Sequence, residues 1–180
     1  MADYQTIVNN LNVMRGNALV EIAPYIDGNP NWVSVGAITE LETELDAPIA
    51  SEENDNADST DRFNKQELKI KFTQIELLNL DAWEILYGNL IDVEMGSDYT
   101  KIFGGGSGSI PNFMCRLTTT EDEKVFRLTA YKCNLTKMFS MKYAKDDDDD
   151  TRIKIPVELV GKTDPYRNNY VWELEGPFNG

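Results

Sequence analysis

Hydrophobic and polar positions alternate with a period of two along most of this chain. Apolar residues at every second position line one face of an extended segment, so the pattern predicts β-strands with one buried face. The predicted strands cover residues 17–25, 32–38, 39–45, 68–72, 99–103, 113–119, 124–135, 138–143, 152–161 and 170–174. Turn-forming residues separate most of them at the short spacing of a sandwich or barrel, and a hairpin is expected between the first two.

One segment, residues 79–88, follows a helical pattern instead. Asn79 is a suitable N-cap and Asp81 is an acid in the first turn. Apolar residues recur at helical spacing at Leu80, Trp83 and Leu86 or Tyr87, and Gly88 ends the segment. Residues 1–16 are predicted to form an N-terminal arm or a short helix. The 180 residues suit a single domain.

Negative charge is concentrated rather than spread over the chain. Two stretches without Lys or Arg hold 14 of the 31 carboxylates, nine from Glu40 to Asp61 and five from Asp146 to Asp150, and they account for the net charge of -14. Such runs repel themselves and stay solvated, so they are expected to be loops. Strict alternation also places Glu40, Glu42 and Glu44 on one face of the strand at 39–45.

After the strand at 39–45, residues 46–62 are predicted to form a long acidic loop. It shows no periodicity, and it has too little apolar surface to pack by itself. Loops of this length in a compact domain are typically binding loops or disordered segments. We therefore expect this one to become ordered only against a partner surface.

Several chemistries are disfavoured by what the sequence lacks. There is no histidine, which removes the usual general base and the common metal ligand. Gly104–Ser109 follows a strand but lacks phosphate-loop spacing, so it is predicted to be a hairpin tip. A net negative charge opposes stable binding of duplex DNA. We expect no catalytic residue, cofactor or dedicated metal site.

The remaining candidate residues have structural and functional interpretations. Cys115 and Cys133 lie on different predicted strands and are expected to be reduced core thiols. Trp32, Trp83 and Trp172 are expected in the core, with a sugar-binding face as the alternative. The acidic runs do not match the calcium-hand pattern, although weak calcium binding stays open.

The order of the elements resembles the tail tube protein, or major tail protein, family of long-tailed bacteriophages, which is related in fold to the type VI secretion tube protein. The resemblance is carried by order, spacing and style over most of the chain, in residues 16–22, 32–38, 68–72, 78–86, 126–133 and 155–162 and in a final aromatic strand. The run Asp146–Asp150 has no counterpart in that family pattern.

This resemblance implies a mainly β fold, a β-sandwich or half-barrel with one flanking α-helix and a long acidic loop. Six copies would join their inner sheets into a β-barrel ring, and stacked rings would form the conduit for genome delivery. The long loop would contact neighbouring subunits or rings through Asp46, Glu52, Glu53, Asp55, Asp58, Asp61, Arg62 and Phe63. Glu40, Glu42 and Glu44 would form an acidic lumen or loop face.

The resemblance also implies partners and a location. The chain would bind other copies of itself and contact tape measure, tail terminator and baseplate or tail-tip proteins. Duplex DNA would pass through without stable binding, and no membrane would be involved. The protein would belong to the virion tail and be assembled in the host bacterial cytoplasm. The competing hypothesis is a monomeric β-sandwich module that binds carbohydrate or calcium.

Overall fold

The computed structural model describes residues 18–46, 49–52, 60–63, 66–74, 80–98, 100–104, 108–121, 124–137, 142–145 and 151–177. The strands found there are β1 (Leu19–Pro24), β2 (Val33–Ser34), β3 (Ile38–Asp46), β4 (Ile49–Glu52), β5 (Thr60–Phe63), β6 (Glu67–Gln74), β7 (Ile91–Met95), β8 (Thr100–Gly104), β9 (Phe113–Glu121), β10 (Lys124–Leu135), β11 (Lys142–Lys145), β12 (Thr151–Gly161) and β13 (Trp172–Glu175). The predicted mainly β class is confirmed. The predicted arm at 1–16 lies outside the described residues.

Most strands belong to one antiparallel sheet with the order β2-β1-β9-β10-β12-β6-β3. The twelve-residue β10 joins its two halves. Along one side of β10, Arg127–Ala130 pairs with β13 and Cys133–Leu135 pairs with β12. The pairing of β10 with β9 shifts register between Ala130 and Cys133, where the strand passes from one half to the other. Among the described strands, the sheet ends at β2 and β3 and does not close into a barrel within one chain.

The described part of the chain has one α-helix, α1 (Leu80–Tyr87), which packs against β1 and β2. Trp83 and Leu86 are among its buried residues, so its apolar residues recur in the sequence at helical spacing. Gly88 follows the helix with φ of +49°, a left-handed conformation that favours glycine after a helix C-terminus. The predicted helix therefore matches α1, while its predicted cap Asn79 lies outside the described residues.

Alternate residues of the central strands form the core. Val20 of β1 lies opposite Leu117 of β9, which lies opposite Leu128 of β10, and all three are fully buried. Cys115 and Cys133 are free thiols in the same core, as predicted. Burial raises the pKa of Cys115 to about 12, so this thiol is protonated and unreactive at neutral pH.

Two predicted strands are interrupted. The β1–β2 hairpin is confirmed, with Glu21 opposite Ser34, but β2 has only two residues. Gly36 then takes φ of +87°, which separates β2 from β3. In β3, Glu40 has φ of +56° and the register shifts beside it, so the strict alternation at 39–45 hides a bulge.

The interpretation of Gly104–Ser109 as a hairpin tip is wrong. Strand β8 pairs with β7, which was not predicted, whereas β9 pairs with β1 and β10. The glycine-rich segment therefore joins two different sheets. Glycines and serines favour a turn or connection, but they carry no information about which strands pair.

Candidate assembly surfaces

The exterior of β3, β6 and β12 carries a ladder of alternating charge. Glu42 of β3 lies opposite Lys71 of β6, which lies opposite Glu158 of β12. The Lys137 amine lies 2.7 Å from a Glu158 oxygen. The hydrogen bond from Lys137 lowers the pKa of Glu158, so this carboxylate stays ionised.

A second row of the same ladder lies two residue pairs further along the strands, on the same face. Glu44 is opposite Lys69, whose amine lies 3.2 Å from an oxygen of Asp46 and 4.0 Å from one of Glu44. The hydrogen bond to Asp46, followed by the charge of Glu44, raises the pKa of Lys69. At the bulge, the Glu40 carboxylate accepts a 2.8 Å hydrogen bond from the Thr73 hydroxyl.

The negative charge of the predicted acidic face, Glu40, Glu42 and Glu44, is therefore largely compensated by groups of β6. All three lie beside polar or basic groups of β6, and the surface alternates in sign. Wherever this exterior faces in an assembly, it is not a uniformly negative wall.

The long segment at 46–62 is not wholly a loop. Strand β4 lies within it and β5 ends one residue beyond it, and the two strands pair from Ile49 opposite Phe63 to Glu52 opposite Thr60. They form a separate two-stranded sheet, which lies in sequence between β3 and β6. The acidic, polar composition of this segment gives no periodic signal for two strands of four residues, so composition alone predicted only a loop.

The candidate contact residues of this segment fall into three groups. Asp46 is described with its side chain and bonds to Lys69. The backbones of four others lie in β4 or β5: Glu52, Asp61, Arg62 and Phe63. The remaining three lie outside the described residues: Glu53, Asp55 and Asp58.

The five-aspartate run is also outside the described residues, but its two ends are placed. Lys145 of β11 pairs with Thr151 of β12, so Asp146–Asp150 connects two paired strands. The last aspartate, Asp150, directly precedes Thr151, the first residue of the eleven-residue strand β12.

A polar cluster that sequence reasoning missed surrounds the fully buried Asp164. Its carboxylate accepts hydrogen bonds from the Tyr25 hydroxyl at 2.7 Å, an Arg167 nitrogen at 2.6 Å and the Tyr166 backbone N–H at 3.0 Å. Its backbone carbonyl accepts from the N–H groups of Arg167 and Asn169. We call these residues the Asp164 hub.

Burial and hydrogen bonding have opposite effects on the pKa of Asp164. Burial alone would raise its pKa, but the hydrogen bonds from Tyr25, Arg167 and the Tyr166 N–H lower the pKa below the usual 3.8 overall. Conversely, burial and the bond to Asp164 raise the pKa of Tyr25 to about 12. Tyr25 is therefore a neutral donor, and Asp164 an ionised acceptor, across the physiological range.

The hub holds a surface that we call the tyrosine patch, consisting of Tyr25, Ile26, Tyr166 and Tyr170 with the cations Lys132, Lys162 and Arg167. The side chains of Tyr166 and Tyr170 are 71% and 60% exposed. The ring centres of Tyr25 and Tyr166 lie 6.3 Å apart, and Lys132 lies 5.5 Å above the Tyr25 ring. Lys162 is exposed, and its backbone N–H donates a hydrogen bond to the Lys132 carbonyl.

A second exposed apolar surface lies on the β7–β8 hairpin. Val93 lies opposite Ile102, and Met95 follows on the same face of β7. Met95 and Ile102 are exposed by 70% and 37%, and Phe103 on the other face is half exposed. In the described part of the chain the hairpin pairs with no third strand.

The three tryptophans do not form one exposed face. Trp83 is buried in α1, and Trp172 packs against the core beside Ala130. Trp32 lies on the exterior beneath the Arg116 guanidinium, 4.4 Å from the ring centre, and Arg116 is also bonded to Glu21. The predicted core location holds for Trp83 and Trp172, whereas Trp32 is an exterior stacking partner.

No helix in the described residues is long and apolar enough to cross a membrane. No group of three or more metal-binding side chains occurs among them.

Comparison with known proteins finds no matching protein-family model and no matching curated protein. A chain in the six-fold symmetrised cryo-EM structure of the anti-feeding prophage baseplate aligns with 10% identity and a TM-score of 0.43. That alignment covers 88% of this chain and 91% of the other, and at this TM-score it supports no statement about function.

Proposed function

We propose that this protein is a structural subunit that assembles with copies of itself into rings, which stack into a phage-type tail tube. The observation that carries the proposal is the open sheet. Its end strand β3 has nine residues and pairs with β6 but with no other described strand. A long strand at the end of a sheet offers backbone groups for pairing with another chain, and ring closure removes such an edge.

The exposed β7–β8 hairpin supports the same proposal. A two-stranded hairpin with no further strand is only marginally stable in water. Contiguous apolar side chains such as Met95 and Ile102 are characteristic of a surface that a partner covers. A subunit of a larger assembly accounts for both properties.

The distribution of charge supports a conduit. The Glu42–Lys71–Glu158 ladder leaves little net charge on the β3–β6–β12 exterior, while the chain as a whole carries -14. A protein with this excess charge repels phosphates, so duplex DNA can pass without being retained. We propose no catalytic role, since the chain has no histidine for acid–base work.

Negative-stain electron microscopy of the purified chain at high concentration tests the proposal. We expect rings or tubes with a central channel. A matched variant in which residues 53–59 are replaced by a Gly-Ser linker of equal length should keep the thermal unfolding of the subunit and lose or shorten the tubes. Particles that remain single subunits for the unaltered chain would contradict the proposed function.

If the linker variant forms tubes of unchanged length, the acidic segment has no role in assembly. In that case the open sheet and the hairpin would have to supply the contacts without it. The two outcomes are therefore separable in one set of micrographs.

A further inference from the structure

The tyrosine patch has the composition of a binding surface. Tyrosine and arginine are enriched at the centres of protein interfaces. Here Tyr166 and Tyr170 project from one short turn, and Tyr25 and Arg167 support it from beneath. Surface residues of this size are rarely grouped so closely on a monomer without a partner.

The patch is also held rigid before any partner arrives. Asp164 and Tyr170 form a backbone bridge, and Asn168 and Asn169 take left-handed conformations that close the turn. The Arg167 guanidinium is fixed between the Asp164 carboxylate, the Ile26 carbonyl and the Tyr131 ring. Preorganisation of this kind reduces the entropy lost on binding.

Charge indicates what the patch binds. Its open cations are Lys132 and Lys162, because Arg167 is already bonded to Asp164. Positive charge around exposed aromatic rings suits an acidic segment, and this chain carries one in the five aspartates from Asp146 to Asp150.

The strand β12 prevents a chain from making this contact with itself. Asp150 directly precedes its first residue, Thr151, and Lys162 directly follows its last, Gly161. Eleven residues of extended strand hold the two ends about 33 Å apart. The acidic run and the tyrosine patch are therefore kept at opposite ends of one rigid element.

We infer that the tyrosine patch binds the Asp146–Asp150 run of a second copy of this chain in a head-to-tail contact. Such a contact is heterologous, so it repeats from copy to copy and builds a ring or a stack. The inference rests on the proposed function and deepens it, because it names the two surfaces and the direction of assembly. It also assigns a role to the aspartate run.

Two complementary variants test this contact. The patch variant carries Tyr166→Ala, Tyr170→Ala and Lys162→Gln, and the run variant carries Asp→Asn at each position from 146 to 150. Each variant alone should stop at a smaller assembly than the unaltered chain. Mixed in equal amounts, they should form a species of twice that mass, because the intact patch of one variant binds the intact run of the other. This species should grow no further, because it carries the altered patch at one end and the altered run at the other.

A matched control removes similar groups elsewhere. Val125→Ala with Lys124→Gln takes one exposed apolar side chain and one exposed amine from the start of β10 and should assemble as the unaltered chain does. Raising the salt from about 0.1 M to 1 M shortens the screening length from about 10 Å to about 3 Å and should weaken the doubled species. Thermal unfolding of each variant shows whether it is folded, and Lys162→Asp alone is the fallback if the triple variant is not.

Sedimentation velocity distinguishes the outcomes. If the unaltered chain assembles and either variant assembles equally well, or if the mixture shows no doubling, the head-to-tail contact is wrong while the proposed function stands. If the unaltered chain stays a single subunit at every concentration, the proposed function itself fails and this inference fails with it.

Discussion

The Asp164 hub and the β3–β6–β12 ladder both pair carboxylates with cations, but they do so in opposite surroundings. Asp164 is fully buried and bonded by Tyr25, Arg167 and a backbone N–H. The Lys69 side chain of the ladder is about one third exposed, and its partner Asp46 is about half exposed.

This difference in burial determines how much each pair contributes to the free energy of unfolding. Water and salt screen an exposed pair, so it contributes little to the free energy of unfolding. When one member of a buried ion pair is removed, the remaining charged group stays desolvated without a partner, and the folded state loses stability. The hub should therefore fix the turn that carries the tyrosine patch, whereas the ladder should mainly set the charge of the exterior.

The largest effect is expected from Asp164→Ala. The substitution leaves the Arg167 side chain, only 20% exposed, without its anion, and it removes the acceptor of two further hydrogen bonds. We expect the free energy of unfolding to fall by about 3 kcal/mol. Urea denaturation measures this, with exposed Asp27→Ala as the control, and equal losses in the two variants would contradict the importance of burial.

A smaller loss is expected from Tyr25→Phe. The ring that Lys132 contacts is kept, and only the 2.7 Å hydrogen bond to the Asp164 carboxylate disappears. A hydrogen bond to a charged group suggests a loss of about 1.5 kcal/mol. Tyr170→Phe, at an exposed ring, is the matched control in the same denaturation series, and a Tyr25→Phe variant as stable as this control would show that the bond adds nothing.

The contribution of Asp164 should also depend on pH. Its pKa is lower in the folded state than the usual 3.8, so the stabilisation is present above that value and is lost as pH falls through the folded-state pKa. The difference in unfolding free energy between the unaltered chain and Asp164→Asn should therefore shrink as the pH is lowered below 3.8. A difference that stays constant down to the acid transition would show that Asp164 has no lowered pKa.

The smallest effect is expected from Lys69→Gln in the ladder. Lys69 contacts Asp46 and Glu44 in an exposed setting, so we expect no measurable change in thermal unfolding at physiological salt. The test is the melting temperature beside that of Asp164→Ala. A loss comparable to that of the hub variant would mean that exposed and buried pairs do not differ in this protein.

The part of the fold that sequence predicted best is the part with one buried face. Lys124–Leu135 was predicted with the bounds that β10 has, because Leu128, Ala130 and Cys133 enter the core and the intervening residues do not. The helix α1 was visible for the same reason at a different period. Burial on one face produces the periodic signal that sequence analysis reads.

Three short strands were missed or misread. Strand β7 has no fully buried residue, and only Ile91 and Val93 are half-buried, so its alternation of burial is brief. Strands β4 and β5 lie in an acidic stretch whose composition indicates a loop.

The hub could not be predicted because one of its partners, Tyr25, is distant from Asp164 in sequence. Asp164-Pro165 resembles an ordinary turn, and its side chain does accept from Tyr166 N–H as a local cap. Nothing near Tyr25 indicates that its hydroxyl meets a carboxylate 139 residues away. Long-range polar pairs leave no periodic trace, so this part of the candidate assembly surface required the structure.

The most direct test of assembly is native mass spectrometry of the unaltered chain over a range of concentrations. The account predicts species above the 20.4 kDa subunit, with a ring of six copies as the state implied by the tail tube resemblance, and larger stacks as concentration rises. A single species of 20.4 kDa at the highest concentration reached would contradict it.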